Sequence, residues 1–275
     1  MPVDVLAEIL SNTRLAPDYN VITFRAPQIA EVAAPGQFVM VRCTQGLDPM
    51  LRRPFSIFEH VRDDGGRIVG LSILNKRVGA GTSRLYDVAP GERLSVLGPL
   101  GRPFVPVAPP DEAWMVAGGV GLAPFSTLAE ALAERGTSAT LFYGGRSAHD
   151  IYYEDFFTRL GTRLVITTED GSRGEKGRVT APLERELATR RASASLTIYA
   201  CGPTPMMRAV AHVGAQAGRR VLVSLEPVMG CGMGGCYSCV VPVKQSAGQH
   251  LVRSCIEGPV FDAHALVWDA MAAGH

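Results

Sequence analysis

Trp114-Met115-Val116-Ala117-Gly118-Gly119-Val120-Gly121-Leu122-Ala123-Pro124 passes from an apolar run through a glycine turn into a segment of helical spacing. A strand, a glycine turn and a helix start bring free backbone N–H groups to one point, where a dinucleotide pyrophosphate can meet a helix N-terminus. The spacing departs from G-x-G-x-x-G, so taken alone it equally marks a tight strand-to-helix connection. Its surroundings add weight. Apolar runs at 140–143, 163–168, 196–200 and 220–224 alternate with helical patterns at 122–134, 154–159, 183–189 and 205–217. That alternation predicts a doubly wound parallel sheet. Tyr199-Ala200-Cys201-Gly202-Pro203 ends the fourth strand, at the edge where open α/β sheets place ligands. Gly118, Gly119, Gly121, Pro124, Gly202 and Pro203 are therefore candidates for nicotinamide dinucleotide binding. Cys201 is a candidate neighbour of the nicotinamide, against the reading of a small buried hydrophobe. Glu169 and Asp170 follow the third strand where a basic residue would serve a ribose phosphate, which favours NAD over NADP; the competing reading is a solvated loop.

Upstream the texture differs. Short alternating or apolar runs at 37–42, 55–60 and 93–97 are separated by turn signals at Pro35-Gly36, Asp63-Asp64-Gly65-Gly66 and Pro90-Gly91. They predict a small antiparallel barrel. Within it, Arg53 can fork onto a pyrophosphate and Ser56 can hydrogen-bond the edge of a flavin ring. Gly79-Ala80-Gly81-Thr82-Ser83 can open a short helix over phosphate. A surface arginine and a plain turn are the alternatives for each alone, and the two together favour FAD. The proline-rich segment 105–110 cannot donate a regular ladder and marks a linker. The expected divisions are 1–104 for the FAD barrel, 105–225 for the NAD domain and 226–275 for a small third module.

That module carries Cys231, Cys236, Cys239 and Cys255. The first three give C-x4-C-x2-C, the spacing of plant-type 2Fe-2S ferredoxins, among glycines that let the backbone wrap a cluster. A four-cysteine zinc site usually takes two similar short pairs instead. About 50 residues are too few for an independent ferredoxin core, so the module must lean on the rest of the chain or on a partner.

The totals agree. Across 275 residues, 27 basic and 26 acidic side chains give a net charge of +1 without single-sign runs, which offers nothing to nucleic acid. No run reaches the roughly 20 apolar residues of a membrane span, and Met1-Pro2-Val3-Asp4 opens no targeting segment. A cytoplasmic protein is expected.

With Arg53-Pro54-Phe55-Ser56, the glycine turn at 118–124, Cys201-Gly202-Pro203 and the late cysteines in this order, the chain resembles the ferredoxin-NADP reductase superfamily. Within it, Ser224-Leu225-Glu226, Met229-Gly230-Cys231-Gly232, Gly235-Cys236, Cys239-Val240-Val241, Cys255 and Gly258-Pro259-Val260-Phe261 resemble the electron-transfer subunits of class B dihydroorotate dehydrogenase. The resemblance implies FAD held by Arg53, Pro54, Phe55 and Ser56, by Leu74-Asn75-Lys76, and by Gly81 and Thr82. It also implies a 2Fe-2S cluster on the four cysteines, and a heterotetramer with two FMN-containing catalytic subunits, passing electrons from FMN through the cluster and FAD to NAD. Asn75-Lys76 departs from an expected aromatic followed by arginine, which leaves the flavin's stacking partner open. A reductase subunit of another complex, such as an NAD-dependent ferredoxin:NADP oxidoreductase or a hydrogenase, is the nearest alternative. A zinc-stabilised nucleotide-binding or redox-sensing module is the reading from a different class.

Overall fold

Alternation of inward and outward side chains closes the first hundred residues into a barrel of six antiparallel strands. These are β1 (Val3–Ala16), β2 (Tyr19–Arg25), β3 (Phe38–Val41), β4 (Arg53–Arg62), β5 (Ile68–Lys76) and β6 (Arg93–Leu100), in the Greek-key order β1-β2-β5-β4-β3-β6. Short helices α1 (Pro27–Ala30) and α2 (Ala80–Tyr86) cover its ends. This is a computed structural model, and it describes residues 1–46, 48–189, 195–246 and 248–271; the last four residues of the expected 226–275 module lie outside that set.

Register fixes which face each side chain takes. Val39 and Val41 join Ile9, Ile22, Phe24, Ile57, Leu71, Ile73 and Val96 in the barrel core, while Phe38 and Met40 point outward. Phe38 pairs with Ser56 and Met40 with Pro54 across the β3–β4 ladder, so these four share the outer face.

The second body is a sheet of β7 (Glu112–Gly118), β8 (Ala139–Gly145), β9 (Arg163–Thr168), β10 (Glu175–Lys176), β11 (Leu196–Cys201) and β12 (Arg220–Ser224), all parallel. Helices α3 (Ala123–Glu134) and α4 (Glu154–Arg159) flank one face, and α5 (Thr180–Thr189) and α6 (Thr204–Gln216) the other. Alternate residues of β7 serve the two cores: Trp114 and Val116 face α5 and α6, Met115 and Ala117 face α3. The order β10-β9-β8-β7-β11-β12 reverses between β7 and β11. The proline-rich segment is no free tether. Phe104 is buried against Phe125 and Tyr199, and the Tyr199 hydroxyl donates to Val105 O and accepts from Val107 N–H.

Beyond β12 the chain makes the cysteine loop, a hairpin of β13 (Val240–Gln245) and β14 (Gly248–Arg253), and helix α7 (Ser254–Glu257). It then returns as β15 (Val260–Asp262), antiparallel to β12. Parallel pairing thus gives way to an antiparallel edge strand, which the late sequence did not signal. The cysteine segment leaves and rejoins the sheet at adjacent strands. Among the described residues no helix is long and apolar enough to cross a membrane.

Candidate functional site

The expected site residues fall into three groups, one on the barrel, one on the parallel sheet and one on the cysteine segment. The first lies on the barrel. Gly81, in the first turn of α2, is so close to β4 that an added Cβ would stand 3.2 Å from Cys43 Sγ and 3.5 Å from Arg53 Nε. Arg53 Nη1 donates to Leu51 O at 2.8 Å, which folds the side chain back on the loop before β4. Thr82 Oγ1 accepts from the N–H groups of Val78 and Gly79, and Thr82 O accepts from Asn75 Nδ2 at 3.0 Å. A guanidinium beside a glycine turn at a helix start suits a pyrophosphate. Asn75 is fully buried; its Nδ2 also reaches Asn20 Oδ1, while its Oδ1 has no protein partner. Its side chain is spent joining β5 to β2 and α2, so it is not a ring-stacking group. Leu74 is core, packed with Val21, Phe58 and Ala123. Phe55 packs against the barrel core; Pro54 and Ser56 are half-buried on the outer face.

Lys76, which the resemblance sets against FAD, is engaged by side chains of the protein. Its Nζ lies 2.5 Å from the Tyr19 hydroxyl and 3.6 Å from Asp150 Oδ1, over the Tyr19 ring. Asp150 also accepts from the Arg146 backbone N–H at 3.0 Å. Burial opposes its ionisation, but the Tyr19 hydroxyl, the Arg146 N–H and the charges of Lys76 and Arg146 outweigh it and hold the carboxyl below its ordinary range. Neither Tyr19 nor Asp150 carried a sequence signal.

The second group sits at the reversal of strand order, where open sheets bind ligands. Gly119 has φ +56°. Gly121 leaves no room for a side chain, since a Cβ would stand 2.2 Å from the Cys201 carbonyl oxygen. Gly118 is pressed in the same way against Pro203 and Met206, and Gly202, at φ +150°, against Gly118. Two glycine turns therefore interlock, and α3 and α6 start beside them, with Pro124 in the first turn of α3 and Pro203 at the N-cap of α6. Cys201 Sγ is fully buried, 4.0 Å from Glu226 Oε1. Burial, then the Glu226 carboxylate, pushes its thiol well up, so it is a neutral thiol at the end of β11. Glu169 and Asp170 are exposed at the end of β9; Asp170 Oδ1 accepts from the N–H and hydroxyl of Ser172 and so shapes its own loop.

The third group is the cysteines. Cys236 interacts with Cys231, and Cys255 with Cys239. The first pair lies toward the surface; Cys239 and Cys255 are buried with Phe38, Met40, Leu97, Leu100 and Met229. Among the described residues no three His, Cys, Asp or Glu side chains gather as for a single ion. Three thiols on one glycine-rich loop and a fourth on α7 match the ligand set of a 2Fe-2S cluster. Met233 N–H donates to Cys231 Sγ at 3.4 Å, and Ser238 Oγ lies 3.2 Å from Cys236 Sγ. Gly232, at φ +72°, lies on the barrel: a Cβ there would stand 2.5 Å from Met40 Cγ. The module leans on β3 and β6, as its shortness requires.

Comparison with known proteins gives matches to two regions of the chain and to nearly its full length. The family described as an oxidoreductase NAD-binding domain matches residues 115–212, and the iron-sulfur cluster binding domain of dihydroorotate dehydrogenase B matches residues 226–267. The electron transfer subunit of dihydroorotate dehydrogenase B (NAD(+)) from Desulforamulus reducens is 38% identical over 263 residues, 96% of this chain and 98% of the relative. That from Geobacillus thermodenitrificans is 36% identical, over 94% of this chain and 96% of its own. Among solved structures, the NADH-dependent reduced ferredoxin-NADP oxidoreductase superposes with a TM-score of 0.82 at 29% identity, covering 96% of this chain and 91% of that one. The ferredoxin reductase of carbazole 1,9a-dioxygenase gives 0.67 at 21% identity, over 79% and 67%, a likeness of fold.

Proposed function

Since the chain belongs to the family of electron transfer subunits of NAD(+)-dependent dihydroorotate dehydrogenase B, we propose that it carries electrons from the FMN of a catalytic partner, through its 2Fe-2S cluster and FAD, to NAD. The chain is an NAD-linked oxidoreductase subunit with FAD and iron-sulfur cofactors. The finer assignments are ours: FAD on residues 1–104, NAD on 105–225, the cluster on 226–275, two copies of each subunit in the complex, and a place in the cytoplasm.

The observation that carries the reading is the sharing of one barrel face. Ser56 pairs with Phe38, and Phe38 packs with Cys239 and Cys255; Met40, paired with Pro54, lies under Gly232. Cross-strand partners are only about 4.5–5.5 Å apart, so the flavin and cluster residues lie side by side. A flavin exchanges a hydride with nicotinamide and single electrons with an iron-sulfur cluster, which is the conversion this order needs.

The chain's own work is placement. Arg53, with the turn at Gly81 and Thr82, would hold the FAD pyrophosphate, and Ser56 the ring edge. Gly118, Gly119, Gly121, Gly202 and Pro203 would let NAD approach the starts of α3 and α6, with Cys201 and Glu226 at the nicotinamide end and Glu169 and Asp170 toward the ribose. Cys231, Cys236, Cys239 and Cys255 would ligate iron. Val228, Met233, Tyr237 and Ile256 expose apolar surface around the cluster loop, which is where we seat the catalytic subunit.

Anaerobic copurification with flavin, iron and sulfide analysis, followed by dihydroorotate and NAD, tests this. FAD, FMN, cluster and NADH formation are expected. Loss of the response to dihydroorotate while NADH still bleaches the protein would move the assignment to another partner complex.

A further inference from the structure

We propose that Ser238 sets the reduction potential of the cluster by donating its hydroxyl proton to the Cys236 sulfur. The inference rests on the iron-sulfur reading above and goes beyond it to a residue that is not a ligand. Ser238 Oγ lies 3.2 Å from Cys236 Sγ and accepts a 2.8 Å hydrogen bond from the Gly230 backbone N–H. A backbone N–H can only donate, so the hydroxyl already acts as acceptor on that side. An iron-bound cysteine is a thiolate with no proton to give. The remaining direction is from the Ser238 O–H to sulfur.

The backbone is bent to make this contact. Tyr237, between the two residues, takes φ +58°, a conformation that is uncommon for bulky side chains and tends to persist where the surroundings enforce it. Arg253 supplies that enforcement: its guanidinium lies 5.1 Å over the Tyr237 ring, and its Nη1 donates to Gly234 O at 2.9 Å. The turn folds back so that the hydroxyl two residues beyond Cys236 returns to its sulfur.

Reduction adds one electron to the cluster and no proton, so it concentrates negative charge on the thiolates. A hydrogen bond to sulfur favours the more negative state and raises the potential. Cys236 is the exposed cysteine of the set, so this contact acts on the side of the cluster nearest the surface.

The test is a redox titration of the whole protein, following the cluster by electron paramagnetic resonance and the flavin by absorbance. Ser238→Ala is expected to keep its iron and sulfide. Its midpoint should fall, with the reduced-to-oxidised ratio at a fixed potential dropping about tenfold, which is 59 mV for a one-electron couple. The flavin midpoint should not move, and Ser238→Thr should titrate like the unaltered protein. An unmoved cluster midpoint in Ser238→Ala, or equal shifts in the alanine and threonine variants, would overturn the proposal. If Ser238→Ala cannot retain iron, Ser238→Cys takes its place as a weaker donor of similar size: a lowered midpoint supports the role, an unchanged one removes it. Absence of a 2Fe-2S signal from the unaltered protein would sink the cofactor reading itself before any variant is compared.

Discussion

The Tyr19 hydroxyl donates a 2.7 Å hydrogen bond to Asp150 Oδ1 across 131 positions of sequence, tying the barrel to the nucleotide-binding sheet. Lys76 completes the tie from β5, and the Tyr19 hydroxyl lies 3.7 Å from the position a Cβ on Gly119 would take. The charged bridge therefore stands at the edge of the glycine turn assigned to NAD.

Asp150→Asn should remove the charge that faces Lys76 and replace one accepting oxygen with an NH2 donor, so that Tyr19 and the Arg146 N–H compete for a single amide oxygen; the cost should be about 1–3 kcal/mol, with a raised KM for NADH and full FAD content. The Asp150 carboxyl titrates below its ordinary range, so its contribution is complete above the unfolded value, about pH 4, and is lost as pH falls through the folded value. Denaturant unfolding of both proteins should show a constant gap from neutral pH to about pH 5 that closes in stronger acid; a pH-independent gap would assign the loss to packing.

Arg53→Ala removes the guanidinium beside Gly81. FAD affinity should fall about ten- to hundredfold, the loss of one charge-assisted contact, while iron and sulfide stay. Flavin-to-iron ratios after gel filtration measure it.

Gly121→Ala places a methyl group against the Cys201 carbonyl oxygen. Because the methyl is fixed to the turn between β7 and α3 and the carbonyl is backbone at the end of β11, relief requires the turn and the strand to part, at about 3 kcal/mol or more. Thermal melting should drop and NADH should no longer bleach the flavin, while Gly136→Ala, whose Cβ would meet nothing within 4 Å, should cost only the strain of its left-handed φ.

Cys236→Ser and Cys255→Ser should both lose iron, but not equivalently. Cys255 is buried with Met40 and Leu100, so an unligated serine hydroxyl there also disturbs packing and should lower the melting temperature further than the exposed substitution.

Glu130→Gln should raise the melting temperature at neutral pH. Glu130, on α3, faces His60 and Glu59 of β4; burial, then the Glu59 charge, pushes its carboxyl above the ordinary value. A group whose folded value is raised costs stability as pH rises through that value, so the variant's advantage should vanish in acid below the ordinary glutamate range. A gain that persists at low pH would contradict the charge argument.

Much of this arrangement was written in local patterns. Gly118, Gly119 and Gly121 announced a strand-to-helix turn because glycine is required by close approach, and C-x4-C-x2-C announced a cluster because its ligands lie on one loop. Asn75, by contrast, carried no mark of its burial in a ladder with Asn20, since such a network depends on which strands become neighbours. The same holds for Tyr19 with Asp150, for Met40 under Gly232, and for β15: three residues are too few to show a period, and their pairing with β12 is decided by the sheet.

The bracketing of the cysteine segment by β12 and β15 gives it the standing of a removable cassette. Both ends emerge at adjacent strands of one sheet, so a short turn joining them would restore an unbroken nucleotide-binding fold. What would resist such excision is the barrel, where Phe38, Met40, Leu97 and Leu100 would be bared. A lineage gaining or losing this one-electron carrier would thus have to rewrite a few outward-facing side chains on β3 and β6, and leave the rest of the architecture as it was.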